Sequence, residues 1–107
     1  GTDWDTQDGT CVRDYVHVSD LVESIVQAVQ TPSNKSYDCI GTGNGYSVKQ
    51  VIDTMKEVSG VNFNVIEGSR RAGDVASLLI PQGEQSPYCS ITRSLEDICL
   101  SSYQAEI

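Results

Sequence analysis

Three arginines and an aspartate carry the clearest chemistry in this sequence. Arg13 stands beside Asp14, and the run Arg70-Arg71-Ala72-Gly73-Asp74 follows far along the chain. A guanidinium offers a planar, permanently charged fork that can hold a phosphate bidentately. Two arginine sites from distant parts of one chain could therefore clamp a single pyrophosphate. Asp74 could accept hydrogen bonds from sugar hydroxyls, and Gly73 would let the backbone turn close to a ligand. On composition alone, surface ion pairing accounts for these residues better, because it is cheap and common.

Two further constellations invite chemistry and support it less. His17 is the single histidine, flanked by Val16 and Val18 just before a predicted helix, with no Ser or Cys nucleophile evidently paired to it. It reads as a hydrogen-bonded structural residue rather than a general acid or base. The run GTGNG at 41–45 follows a predicted strand and opens a helix, as a dinucleotide-binding turn does. It lacks the third glycine at the required spacing, and no second βαβ half follows. A tight strand-to-helix turn explains it better.

The elements that must position these residues are short. The stretch 1–10 is polar, with a turn at Asp8-Gly9, and 11–16 reads as extended. Residues 18–30 predict a helix with Val18, Leu21, Val22, Ile25 and Val29 on one face. Ser19 and Asp20 are its candidate caps, and Pro32 ends it. A strand is expected over 36–40. Ser47 starts a second helix through a capping box with Gln50. Its buried face would be Val48, Val51, Ile52, Met55 and Val58, and Gly60 would stop it. Val61, Phe63 and Val65 alternate with polar residues as in a half-buried strand. Residues 75–80 read as extended, 82–93 as irregular, and 94–105 as a last helix capped by Ser94 and Asp97. Leu95, Ile98, Cys99 and Tyr103 would face inward. The sum is a small mixed α/β unit, with one domain over 1–107.

Composition narrows the function classes. The chain has 107 residues, 7 Lys plus Arg, 15 Asp plus Glu and a formal charge of −8. So acidic a surface argues against nucleic-acid binding and against a polybasic membrane anchor. No run approaches the roughly 20 apolar residues of a membrane span. Cys11, Cys39, Cys89 and Cys99 show neither a CxxC nor metal-ligand spacing, so no metal site is expected. They read as buried free thiols, which favours a cytoplasmic setting. The chain begins Gly-Thr and its single Met is Met55, as expected of a processed, engineered or truncated chain.

The runs DGTCVRDYVHVSDL (8–21), YDCIGTGNGYSVKQVI (37–52) and RRAGDV (70–75) resemble the UDP-glucose 4-epimerase (UDP-galactose 4-epimerase) family. That family belongs to the extended short-chain dehydrogenase/reductase superfamily. SLEDIC (94–99) resembles the opening of the family's last helix. The likeness spans nearly the whole chain, but only the carboxyl-terminal third or so of a family protein. It implies a lobe that holds the UDP-sugar, apart from the Rossmann domain that binds NAD. It also implies that Arg13 and Arg71 contact the diphosphate, that Asp74 contacts the ribose, and that Leu78 borders the hexose. The bulk of Leu78 would disfavour N-acetylated sugars.

The resemblance places the chain with an isomerase of galactose metabolism that interconverts UDP-glucose and UDP-galactose. Here the catalytic YxxxK and the GxxGxxG are absent, so no catalytic residue can be assigned. No NAD is expected on this chain alone. Between 76 and 89 the likeness decays: Tyr88 or Cys89 stands where the family carries a Trp. A helix whose natural partner is the missing Rossmann domain would leave apolar surface exposed and favour a homodimer. Two alternatives accompany this reading. One is a non-catalytic descendant that acts as a binding or self-association module. The other is a piece of a related UDP-pentose 4-epimerase or nucleotide-sugar dehydratase.

Overall fold

A computed structural model describes residues 1–30, 40–80 and 91–106. The element order is β1 (Val12–Arg13), α1 (Val18–Gln30), β2 (Tyr46–Ser47), α2 (Val48–Ser59), β3 (Ser77–Leu78) and α3 (Leu95–Glu106). The strands form one sheet in the order β2-β1-β3. The central β1 runs antiparallel to β2 and parallel to β3, with Arg13 opposite Tyr46 on one side and Leu78 on the other. Backbone bonds from Val12 N to Ala76 O (2.8 Å) and from Val48 N to Cys11 O (2.9 Å) extend the pairing. Of the expected strand over 36–40 and the irregular stretch over 82–93, residues 36–39 and 82–90 lie outside the described residues, as do Pro32, Cys39, Tyr88 and Cys89.

Helix boundaries follow local chemistry. Ser47 Oγ accepts from Gln50 N while the Gln50 side chain accepts from Ser47 N, which closes the expected capping box. Gly60 ends α2 at φ 69°, a left-handed conformation that glycine adopts without a Cβ penalty. Ser94 and Asp97 bond reciprocally at the start of α3, also as expected. Ser47 is buried and its hydroxyl also donates to Asp8, so it joins the amino-terminal loop to α2. Ser47→Ala is therefore expected to lower stability by about 1–2 kcal/mol, toward the upper end for a lost cap. A urea midpoint within error of the parent would contradict that.

Several expectations need correction. The cap of α1 is neither Ser19 nor Asp20. The His17 carbonyl accepts from Leu21 N at 3.1 Å, and its ring Nδ1 accepts from Ser19 N at 3.0 Å. The apolar face of α1 is not the buried one: Val18 is 67%, Val22 52% and Val29 77% exposed, while Asp20 and Ser24 are fully buried. Asp20 draws that side inward, because Thr92 and Arg93 before α3 converge on its carboxylate. Val51, Ile52, Met55 and Val58 of α2 are half-buried against α3, and Val48 is exposed. The alternating residues Val61, Phe63 and Val65 form no strand, because no described strand pairs with them.

The core is correspondingly small. Leu95 and Cys99 are the buried apolar side chains among the described residues. Both face inward as expected, whereas Ile98 and Tyr103 are half-buried. Cys99 Sγ lies 3.9 Å from Val51 O, where α3 meets α2, and burial pushes its thiol up from the usual range. Cys11 is a free thiol like Cys99 but only half-buried, because it lines a cleft.

Candidate functional site

The central strand builds the site. Side chains alternate across an extended run, so Cys11, Arg13 and Tyr15 leave on one face. All three line a cleft of about 390 Å³, together with Val48, Ser69, Arg71 and Asp74. That volume lies within the range of roughly 300–1,000 Å³ usual for small-ligand sites. The turn at 72–73 brings Arg71 and Asp74 to the cleft from the far end of the chain, with Gly73 at φ 85°. Three of the residues singled out from sequence thus converge on one opening.

Their charges are arranged around Asp74. Arg71 Nε donates to Asp74 Oδ2 at 3.0 Å. An Arg13 Nη nitrogen stands 4.0 Å from Asp74 Oδ1, an ion-pair distance too long for a hydrogen bond. The other Nη of Arg13 donates to its neighbour's carbonyl, Val12 O, at 2.8 Å. Arg13 and Asp74 are each 24% exposed, whereas Arg71 is 83% exposed. Arg13 is thus the better shielded cation and Arg71 the more exposed one. Such a pair of forks can accept an anion from two sides, within a chain whose overall charge would repel one.

Tyr15 and Cys11 were missed as cleft residues, although the two-residue period of 11–16 signals them. Burial pushes the Tyr15 phenol above its usual range, an effect that the nearby Arg13 partly offsets. The phenol therefore stays a neutral hydrogen-bond donor at neutral pH. Leu78 does not line the cleft. It is exposed on β3 beside Arg13, and register partners share a face of the sheet.

The loop at 41–45 does something other than hold a dinucleotide. Thr42 N and Thr42 Oγ1 donate to Asp14 Oδ1 at 3.0 and 2.7 Å, and Gly43 N donates to Asp14 Oδ2 at 2.9 Å. A Cβ on Gly41 would lie 2.3 Å from Ile80 Cδ1 and 2.7 Å from Asp14 Oδ2. The groups that would cradle a pyrophosphate already hold a carboxylate of the same chain, so these residues do not fit NAD. Their effect is to anchor the residue next to Arg13.

His17 does have a serine beside it, contrary to the sequence reading, yet the contact joins two elements instead of activating a nucleophile, because the Ser101 hydroxyl is spent on a backbone carbonyl. With Nδ1 accepting from Ser19, Nε2 carries the proton and donates to Ser101 Oγ at 2.9 Å, which in turn donates to Ile98 O at 3.1 Å. The ring thereby joins the start of α1 to α3. A second cleft, of about 670 Å³, lies around Val12, Leu79, Asp8, Lys49 and Asp53. Its carboxylates outnumber its single cation, and Asp8 is already held by Ser47 and Thr10. It is a poor place for an anion. No group of three or more His, Cys, Asp or Glu among the described residues could hold a metal ion.

Comparison with known proteins gives a consistent pattern. The chain is 46% identical over 80 residues to a probable UDP-arabinose 4-epimerase 3 of Oryza sativa, covering 73% of this chain and 20% of that protein. Among solved structures it resembles the UDP-Glc/GlcNAc 4-epimerase of Campylobacter jejuni, at 38% identity and a TM-score of 0.81. That likeness covers 99% of this chain and 34% of the other. The UDP-glucose 4-epimerase of Bifidobacterium longum, solved with NAD+ and UDP, gives 31% identity and a TM-score of 0.86, over 99% and 33%. No protein-family model matches the chain. The chain thus spans about a fifth to a third of the length of these relatives. No helix among the described residues is long and apolar enough to cross a membrane.

Proposed function

We infer that this chain, which belongs to the UDP-glucose 4-epimerase family, is the carboxyl-terminal nucleotide-holding lobe of such an enzyme. In this reading Arg13 and Arg71 grip the diphosphate of UDP-glucose or UDP-galactose, and Asp74 accepts from the ribose. The convergence of these three residues on one cleft carries the reading. Epimerisation at a sugar carbon requires the hexose to turn while the nucleotide stays held. Binding energy remote from the reacting carbon must therefore retain the intermediate. In this reading catalysis and NAD binding fall to a Rossmann domain, and residues 1–107 supply the grip on the nucleotide. A cytoplasmic setting is part of the reading, supported by the free thiols of Cys11 and Cys99.

The test is a titration of the chain with UDP, followed by calorimetry or by amide NMR shifts. Saturable binding that weakens in Arg71→Ala supports a retained site. Absence of binding, or binding indifferent to Arg71→Ala, removes it. The first comparison, with a UDP-arabinose 4-epimerase, keeps a UDP-pentose open as the sugar. Competition between UDP-glucose and UDP-arabinose for the same cleft separates the two.

The exposed stripe Val18, Val22, Ile25 and Val29 favours an accompanying proposal. Four aliphatic side chains on one helix face form a patch that water tolerates poorly. In an intact enzyme the Rossmann domain covers it, and in the isolated chain a second copy does so. Sedimentation is expected to show association that rises with concentration and disappears in Val22→Glu/Ile25→Glu. A monomer at all concentrations rules out the self-association.

A further inference from the structure

Arg70 lies between two cleft residues, Ser69 and Arg71, yet it does not line the cleft. Its Nε donates to Asp3 Oδ1 at 2.8 Å, and an Nη donates to the Asp3 carbonyl oxygen at 2.7 Å. Its guanidinium carbon also stands 4.0 Å from the centre of the Trp4 ring. A fork bonded twice to one residue and packed on an aromatic face is an orienting contact rather than a loose ion pair. The hydrogen bond from Arg70 holds the Asp3 carboxyl below its ordinary range.

The segment that receives Arg70 is itself fastened. Trp4 N donates to Gly9 O and Thr6 N to Trp4 O, each at 2.9 Å, and Thr6 Oγ1 donates to Thr10 O at 2.7 Å. Gly9 closes this loop at φ 84°, where a Cβ would meet Thr2 O at 2.2 Å. The loop runs directly into β1, which carries Arg13. Residues 61–71, by contrast, belong to no described strand or helix. The Arg70 clamp therefore ties the segment that bears Arg71 to the loop that leads into Arg13.

We propose that Arg70 is a positioning residue: it sets the spacing between the Arg13 and Arg71 guanidiniums and does not touch the diphosphate itself. This rests on reading the cleft as a diphosphate site. Without the clamp, only a fraction of chains would present Arg71 correctly, and apparent affinity falls by that fraction. The clamp is largely solvent-exposed, with Asp3 at 76% and Arg70 at 46%, so it contributes little to global stability. Its effect is local.

The experiment titrates UDP into the chain and into Arg70→Ala, Arg70→Lys, Asp3→Ala, Arg71→Ala and the Arg70→Ala/Arg71→Ala double variant. Arg70→Ala and Asp3→Ala are each expected to weaken UDP about three- to tenfold, in proportion to the lost competent fraction, with the urea midpoint nearly unchanged. Arg70→Lys restores part of the affinity, since it keeps the charge and loses the fork. Arg70→Ala costs nothing further in the Arg71→Ala background. In the unliganded chain, 15N relaxation shows residues 69–74 becoming more mobile in Arg70→Ala. Tighter UDP binding by Asp3→Ala overturns the proposal, because a released Arg70 would then be a ligand contact. Additive losses in the double variant overturn it as well. If Arg71→Ala weakens UDP and Arg70→Ala changes neither affinity nor mobility, the positioning role alone fails. If the parent chain does not bind UDP, or Arg71→Ala has no effect, the diphosphate reading fails and takes this inference with it.

Discussion

Replacing Asp20 by alanine is expected to lower stability by about 3 kcal/mol, a large share of the roughly 5–15 kcal/mol that holds a typical domain folded. Asp20 is fully buried, and four hydrogen bonds from Thr92 and Arg93 end on its carboxylate. The substitution orphans the two backbone N–H donors and removes the partner of a cation. Arg93 is one-third exposed and also meets Glu23 at 3.3 Å, so water and Glu23 recover part of the loss. That keeps the expected cost at the low end of the roughly 3–5 kcal/mol seen when a buried pair is broken. With Leu95 and Cys99 as the buried apolar core, little else compensates. Urea unfolding followed by circular dichroism checks this, and a shift in midpoint with unchanged slope is the expected form. A variant as stable as the parent would show that α1 is held some other way.

The same carboxylate gives the fold a pH dependence of known sign. Burial alone pushes Asp20 upward, but the hydrogen bonds from Arg93 and Thr92 outweigh it and hold the carboxyl below its ordinary range. Asp8 is lowered by hydrogen bonds from Ser47 and Thr10, and Asp97 by those from Ser94. A carboxyl with a depressed folded pKa binds fewer protons folded than unfolded. Its stabilisation is therefore complete above the unfolded value near 3.9 and drains away as pH falls through the folded value. The parent is expected to hold its stability down to about pH 5 and lose it below about pH 4. Asp20→Ala should flatten that acid limb. An acid limb equally steep in both proteins would assign the sensitivity to other groups.

Arg13→Ala is expected to weaken UDP by about thirty- to a hundredfold, and Arg71→Ala by about three- to tenfold. The first figure corresponds to a charge-assisted hydrogen bond of roughly 2–3 kcal/mol in a shielded setting. The second is smaller because Arg71 is 83% exposed, where water and salt screen the interaction. Raising the salt concentration should therefore erode the Arg71 contribution more than that of Arg13. Arg13→Lys should recover only part of the loss, since an ammonium cannot reproduce a bidentate fork. Calorimetric titration measures all three. Equal, small effects at both positions would make the cleft a general cationic surface rather than a built site.

Much of the candidate site was legible because its parts are local. The RRAGD turn needs a glycine at positive φ and has it at Gly73, and the alternation of 11–16 puts Cys11, Arg13 and Tyr15 on one side. The meeting of Arg13 with Arg71 and Asp74 was legible only through resemblance, since nothing in the spacing of two distant runs requires them to touch. The glycine loop illustrates the opposite case. Its pattern suggested a phosphate cradle, and its amides do cradle an anion, but that anion is Asp14, from 28 residues earlier in the chain.

By itself the sequence determined where α2 begins and ends and where α3 begins. Ser47 with Gln50, Gly60, and Ser94 with Asp97 act within one turn, and their effects need no other part of the chain. It also determined that α1 has an apolar stripe and an opposite polar one. Only the tertiary structure decided which of them is buried. The stripe Val18, Val22, Ile25 and Val29 requires cover without specifying what provides it. The buried side was chosen by donors 72 and 73 residues away that meet Asp20. Likewise Val61, Phe63 and Val65 alternate as a strand does, yet a strand exists only where a neighbour supplies the other half of its hydrogen bonds. Local preference decides the form of a segment, and long-range partners decide which face it turns inward.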